Sequence, residues 1–212
     1  WAHKSDIIRL DALKKYGGIY IDTDVLVLRS FDHFRQFPFT MGNWRTDEFE
    51  LILCNAVIVS APDSTFLSQW YATYKDADFS CWDCQSVVRP TEMARKSLTE
   101  PPIHVPNHTA FYAVDWLKPS TPILLGEGPK HTLGKHPYRA PFDGLYAQHL
   151  WNARHRAQLE RVTGAYVCTS TSLYGYMLRY ALRESGWLRT HCSDKDGVLS
   201  ISGNWSSHKH DH

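Results

Sequence analysis

The 212-residue chain has no run approaching the roughly 18 consecutive apolar residues that a membrane-crossing helix requires, so no span is expected within it. An excess of one charge is also missing. Lys and Arg number 23 against 22 Asp and Glu. This excludes the basic footprint of a nucleic-acid binder and points to a small ligand. Cysteine is scarce and odd in number, with five residues at 54, 81, 84, 168 and 192. No disulfide framework follows from that count. Cys81-x-x-Cys84, lacking a second closely spaced pair, reads as half a zinc site, a disulfide or two ordinary thiols, with the thiols favoured. The first residues do not show the charged and apolar regions of a signal peptide, and no internal repeat is present.

What remains is a globular composition, 43% hydrophobic and 21% charged, long enough for one substantial core. The expected organisation is one domain over residues 1–190 and a polar tail over 191–212, where three histidines crowd the last five positions. Eight Trp and eleven Tyr suit a sugar-binding surface, although most such rings belong in a core.

Ser5 is placed to cap a helix with Ile7, Leu10 and Leu13 on one face, widened by Ile8 and Ala12. Gly17 and Gly18 stop it, and a strand through Tyr20 follows. Leu51 to Val59 reads as a buried central strand. Pro62-Asp63-Ser64 opens a helix to about Tyr74, Pro90-Thr91 opens another to Leu98, and a strand is expected near Ile103 to Val105. Residues 119–141 read as an extended loop. Leu173, Tyr176, Met177, Tyr180 and Ala181 form one face of a last helix ended by Gly186. The alternation predicts an α/β layer.

The most informative segment is Tyr16-Gly17-Gly18-Ile19-Tyr20-Ile21-Asp22-Thr23-Asp24, with Val25-Leu26-Val27-Leu28 beyond it. If the chain stays extended through Thr23, the side chains of Asp22 and Asp24 point the same way, and a divalent cation fits between their oxygens. Carboxylates between two apolar runs are not a solvated face and need a compensating partner. An EF-hand is excluded, since the loop would need an oxygen ligand at Leu26, Gly at Val27 and Glu at His33. The motif comes so early that only one strand carries the acids, so upstream βαβ units of about 30 residues each, and any anchor with them, are expected before Trp1.

Ser5-Asp6-x-x-Arg9 followed by Leu13-x-x-Tyr16-Gly17-Gly18-Ile19-Tyr20-Ile21-Asp22-Thr23-Asp24 resembles the sugar-binding region of glycosyltransferase family 32. Cys54-Asn55-Ala56, Phe111-Tyr112-Ala113-Val114-Asp115-Trp116 and His149-Leu150-Trp151-Asn152 are similar to later family motifs and occur in the same order. The resemblance implies a GT-A-type, Rossmann-like α/β sheet, here lacking part of its N-terminal nucleotide-binding half. It further implies a nucleotide-sugar donor, a glycan or glycolipid acceptor, transfer of a hexose with retention, and Mn2+ or Mg2+ as cofactor.

By the same resemblance the metal ligands are Asp22, Asp24 and His149. The donor-binding residues are Asp6, Arg9, Gly18, Tyr20, Asn55 and Trp151. Asp83 and Gln85 are the catalytic candidates, although Cys81 to Val87 lacks the Gly-Pro that follows in many relatives. Asp6 and Arg9 also share a helical face and read equally well as an ion pair. The family implies a Golgi-lumen setting. Two other classes compete: a non-catalytic or truncated relative that binds nucleotide sugar and metal, and a metal-dependent phosphohydrolase, whose usual clusters of His and Asp are not evident.

Overall fold

The computed structural model describes residues 2–45, 50–96, 103–114, 124–126 and 144–193. The expected loop over 119–141 lies almost wholly outside them. So do the end of the helix expected to reach Leu98, the pair Asp115 and Trp116, and most of the tail. The fold is mixed α/β, and where the sequence suggests one domain the chain divides into two compact units.

The first unit comprises Trp1–Val25, Ser30–Asp115 and Gly144–His149. Helix α1 (Ala2–Tyr16) leads into β1 (Gly18–Ile21). The helix begins before Ser5, so Ser5 sits inside it rather than capping it. Leu10 and Leu13 are buried and Ile7 is partly so, as the spacing predicts, but Ile8 and Ala12 face outward. The stripe is narrower than expected because only one side of the helix meets the core. Gly17 and Gly18 turn the chain with φ of 64° and 104°, a region costly for residues with a Cβ. At Gly17 a Cβ would also lie 2.7 Å from Pro62 Cδ.

β4 (Leu53–Ser60) is central, in the order β1-β4-β3 with β3 (Phe39–Asn43), and both pairings are antiparallel. Its run of apolar and β-branched residues is buried almost throughout, as expected for a strand covered on both faces. The β3–β4 register slips between Met41, opposite Ile58, and Gly42, opposite Cys54. Asn55, Ala56 and Val57 are thereby released from β3 while β1 stays paired up to Val57. The strand expected near Ile103 to Val105 reduces to one parallel bridge between Thr40 and His104.

Helix α2 (Thr65–Ala72) is capped by Ser64, whose Oγ accepts from the Leu67 amide, and a 3-10 turn carries it to Asp76. Helix α3 (Arg89–Lys96) follows a π-turn at Cys84–Val88, and α4 (Thr109–Tyr112) is one short turn. Leu10, Leu13, Met41, Ile58, Leu67 and Trp70 knit α1, α2 and the sheet into the main core. The unit also holds β5 (Ala147–His149), and its first segment ends at Val25, where β2 (Val25–Val27) opens.

In the second unit, helices α5 (Asn152–Leu159), α6 (Gly164–Thr169), α7 (Leu173–Leu182) and α8 (Trp187–His191) follow one another. Ser172 caps α7 by accepting from the Gly175 amide. The buried residues of α7 are Leu173, Tyr174, Gly175, Met177 and Arg179, so Leu173 and Met177 of the expected face are buried while Tyr176, Tyr180 and Ala181 are only partly so. Arg179 turns inward because its guanidinium donates to the carbonyls of Val167 and Ser170 at the end of α6, at 2.7 and 2.9 Å. Gly186, in the left-handed region, precedes α8 instead of ending α7, whose last cap is Arg183.

Cys168 is bonded to Cys192 and Cys81 to Cys84, with Cα separations of 5.4 and 5.5 Å that suit a disulfide. The reading of ordinary thiols at 81 and 84 is therefore overturned, and only Cys54 is a free thiol. With His191 in α8 and Cys192 crosslinked, ordered structure runs past the boundary expected at residue 190.

A candidate metal and donor site at the end of the first strand

Beyond Ile21 the β1–β4 ladder makes one more bond, from the Asp22 amide to the Ala56 carbonyl at 2.8 Å. The chain then turns: the Val25 amide donates to the Asp22 carbonyl at 3.1 Å, closing a turn through Thr23 and Asp24. The extended geometry expected through Thr23 is thus replaced by a β-turn, and the turn brings the two acids together. His149, at the end of β5, meets them. One ligand atom from each of Asp22, Asp24 and His149 lies within 4.8 Å of the others.

Two carboxylate oxygens and one imidazole nitrogen are a donor set that suits Mn2+, and Mg2+ with added waters. All three side chains are partly or largely shielded, at 25%, 23% and 9% exposure. His149 Nε2 stands 3.3 Å from Asp24 Oδ2. Burial opposes a charge on His149, but the hydrogen bond and charge of Asp24, with a contribution from Cys54, outweigh it and raise its pKa to about 9. Without a metal, a protonated imidazole therefore compensates Asp24.

Asp22 has its own counter-charge. Arg9 Nη1 lies 3.0 Å from Asp22 Oδ1, and the Tyr20 hydroxyl donates to the same oxygen at 2.6 Å. Burial and this bond to Asp22 push the Tyr20 phenol up to about 12. Arg9 is buried, lies 4.4 Å over the Tyr20 ring and donates to Ser5 Oγ at 3.1 Å and to the Asn55 carbonyl at 2.9 Å. That carbonyl is accessible because the slipped register frees Asn55 from β3, a use of a bulge beside a site. Asp6 completes the network, 3.3 Å from Arg9 Nη2 and accepting from Asn55 Nδ2 at 2.8 Å. Burial raises the pKa of Asp6, and Arg9 works against that rise.

Of the donor-binding candidates, Asp6, Arg9, Tyr20 and Asn55 thus form one network ending on Asp22. Gly18 lies at the start of β1, where an added Cβ would meet nothing within 4 Å. Trp151 takes a left-handed conformation with φ of 53°, rare for a bulky residue, as the chain enters α5. The catalytic candidates sit elsewhere in the contact network. Asp83 is exposed on the loop closed by the Cys81–Cys84 bond. Gln85 is buried, its Oε1 accepting from Thr73 Oγ1 at 3.1 Å and its carbonyl from Trp70 Nε1 at 2.7 Å.

Several supporting residues were not among the sequence candidates. The Tyr112 hydroxyl donates to the Cys54 carbonyl at 3.0 Å, and its ring meets the His149 imidazole edge-on at 6.1 Å. Gly42 makes room for it, since a Cβ there would lie 2.6 Å from both the Tyr112 and Phe111 rings. Gln148, fully buried, donates to the carbonyls of His149 and Val114 at 2.7 Å each and accepts from the Val114 amide. The signal available was the Phe-Tyr segment itself, and a buried amide beside the histidine.

Residues 1–40 match the family described as "glycosyltransferase sugar-binding region containing DXD motif". The chain is 32% identical over 187 residues to glucan organizing enzyme 1 of Cryptococcus neoformans var. grubii, covering 84% of this chain and 48% of that protein. It is 35% identical over 101 residues to an uncharacterized protein of Arabidopsis thaliana, covering 45% of this chain and 14% of that protein. The chain therefore spans about half of the fungal relative and less of the plant one. No solved structure matches. The order of motifs, the turn that joins Asp22 to Asp24 and the fungal similarity along most of the chain agree: the chain is glycosyltransferase-like, and its residues 1–40 carry the sugar-binding region with the DXD motif.

Proposed function

We propose that this chain is the catalytic part of a metal-dependent retaining glycosyltransferase of GT-A type, moving a hexose from a nucleotide sugar to a glycan or lipid-linked hydroxyl. The observation that carries the reading is the convergence of Asp22, Asp24 and His149 within 4.8 Å at the exit of a strand. Mn2+ or Mg2+ bound there would supply Lewis-acid stabilisation of the charge that gathers on the diphosphate leaving group. Asp22, Asp24 and His149 would hold the ion, His149 as the neutral imidazole, while Arg9 and Tyr20 keep hold of Asp22 Oδ1. Asp6, Arg9, Tyr20 and Asn55 keep that carboxylate in one orientation, which is how a preorganised site favours a transition state over a ground state. Two disulfides suit an oxidising lumen, and a Golgi setting is part of the proposal.

The test is a donor screen with UDP-galactose, UDP-N-acetylglucosamine, UDP-glucose and GDP-mannose in Mn2+, with and without EDTA, on wild-type and Asp24→Ala protein. Transfer that needs the metal and disappears in the variant is expected. Transfer that survives both treatments would overturn the metal role. Binding of metal and donor with no transfer to any acceptor would mark a non-catalytic relative instead.

A further inference from the structure

Trp82 is 74% exposed and Phe79 47%, large apolar rings that solvent would ordinarily not see. They stand together around the imidazole of His3, with ring centroids 5.3 Å from Phe79 and 6.3 Å from Trp82. The loop that presents them is held at several points. Asp78 Oδ1 accepts from the Ser80 amide and hydroxyl at 2.9 and 2.6 Å, the Cys81–Cys84 disulfide closes the loop around Trp82, and the Asp83 carbonyl accepts from the amides of Val87 and Val88. A rigid exposed tryptophan loses little conformational freedom on meeting a ligand, which makes it an effective anchor.

The position of the patch says what that ligand is. His3 and Asp6, and Asp6 and Arg9, are neighbours at three-residue spacing along α1, so Asp6 stands between His3 and Arg9, which lie about 9 Å apart along the axis. Arg9 in turn holds Asp22. The aromatic patch thus packs on the same helix that supplies the arginine holding the first acid of the candidate site. Flat rings beside the exposed carboxylates of Asp78 and Asp83 match a neutral oligosaccharide: the apolar face of a pyranose stacks on the ring while its hydroxyls donate to the acids.

We propose that Trp82 and Phe79 form a stacking platform for the acceptor glycan, gripping sugar residues other than the one that receives the hexose. The proposal rests on the glycosyltransferase reading for the acceptor's role, but the binding it asserts is measurable without turnover. Saturation-transfer NMR with laminaripentaose, maltopentaose and a mannotetraose should show at least one of them bound by the wild type, with enhancement concentrated on consecutive internal sugars. Trp82→Ala should weaken that binding by roughly tenfold or more, and Trp82→Tyr should recover most of it. In transfer assays the loss of kcat/KM in Trp82→Ala should be about ten times greater for an oligosaccharide acceptor than for the corresponding methyl glycoside, while donor KM moves less than acceptor KM.

Three results would overturn the platform. These are no binding of any of the oligosaccharides by the wild type, equal loss on long and short acceptors, or a self-association of the wild type in sedimentation that Trp82→Ala abolishes. Failure of the glycosyltransferase reading looks different: oligosaccharide binding that depends on Trp82, with no donor binding and no transfer.

Discussion

Arg9 Nη1 lies 3.0 Å from Asp22 Oδ1 while donating to the Asn55 carbonyl at 2.9 Å, so one guanidinium nitrogen joins helix α1, strand β4 and the first acid of the motif. Removing it leaves two carboxylates, Asp6 and Asp22, without their cation. Arg9→Ala should lower unfolding free energy by about 3 kcal/mol in urea titrations, the low end for breaking a buried pair because Asp22 keeps a quarter of its side chain in solvent. Arg9→Lys should recover only part, since an ammonium cannot reach Ser5, Asp6, Asn55 and Asp22 in one planar fork. A double-mutant cycle with Asp22→Asn should give a coupling of about 1–3 kcal/mol. Simple additivity would show that the contact is incidental.

Tyr112 meets His149 edge-on and is tethered to the Cys54 carbonyl. Tyr112→Phe keeps the ring and loses the tether. Mn2+ affinity by isothermal titration should fall by about tenfold, the scale of an outer-shell partner, and stability should fall by about 1–2 kcal/mol. An unchanged Mn2+ affinity would separate the tether from the metal site.

Gly42 faces the rings of Phe111 and Tyr112 at a distance no Cβ tolerates. Gly42→Ala should cost about 1–3 kcal/mol through overpacking and weaken Mn2+ binding along with stability, since the displaced ring is the one beside His149. Near-ultraviolet circular dichroism and thermal melting check this. A melt matching the wild type would mean the rings relax freely.

His104 stacks on Phe37 with centroids 3.7 Å apart, and burial, with the nearby His33 adding to it, lowers its pKa below the ordinary 6.5. A histidine held neutral in the folded state contributes stability above pH 6.5, and that contribution is lost as pH falls below it, because the unfolded chain takes up the proton first. Urea midpoints should therefore drop between pH 7.5 and 5.5, and His104→Phe should flatten that slope while keeping the backbone bridge to β3. A slope unchanged in the variant would assign the pH dependence to other groups.

The Cys168–Cys192 bond closes a separation of 24 residues. On chain-entropy grounds its removal by Cys168→Ala and Cys192→Ala together should cost about 3 kcal/mol. The loss should appear in the helices α6 to α8 by hydrogen exchange, with little change in β1 or β4. Uniform loss of protection would show that the two units unfold together.

Much of the first unit was legible because its signals are local. Gly17 and Gly18 demand positive φ, Ser64 caps α2, and the apolar run into Ser60 is a central strand, all consequences of residue type alone. The pairing of Asp22 with Asp24 was legible in outcome but not in cause, since a turn bond from Val25 to Asp22 does what an extended chain was expected to do. Arg179 could not be read, because its role depends on two carbonyls of another helix that periodicity does not reveal. The Cys168–Cys192 bond was hidden for the same reason, since a separation of 24 residues says nothing about which Cα atoms approach, whereas a Cys81–Cys84 bond was one of three readings open to the closely spaced pair. Tyr112 and Gln148 serve the site through a backbone oxygen and a neighbouring carbonyl, and such tertiary bonds have no sequence spacing.

The slipped register beside Met41 makes β4 two supports in one strand, with a continuous seam along β1 and an interrupted one along β3. Length is therefore constrained there more tightly than residue identity. Deleting a single position between Cys54 and Ile58 would shift the strand against β1, breaking the Asp22 amide bond to the Ala56 carbonyl and taking the Asn55 carbonyl away from the Arg9 guanidinium, although the turn that holds the two acids together is closed within its own segment.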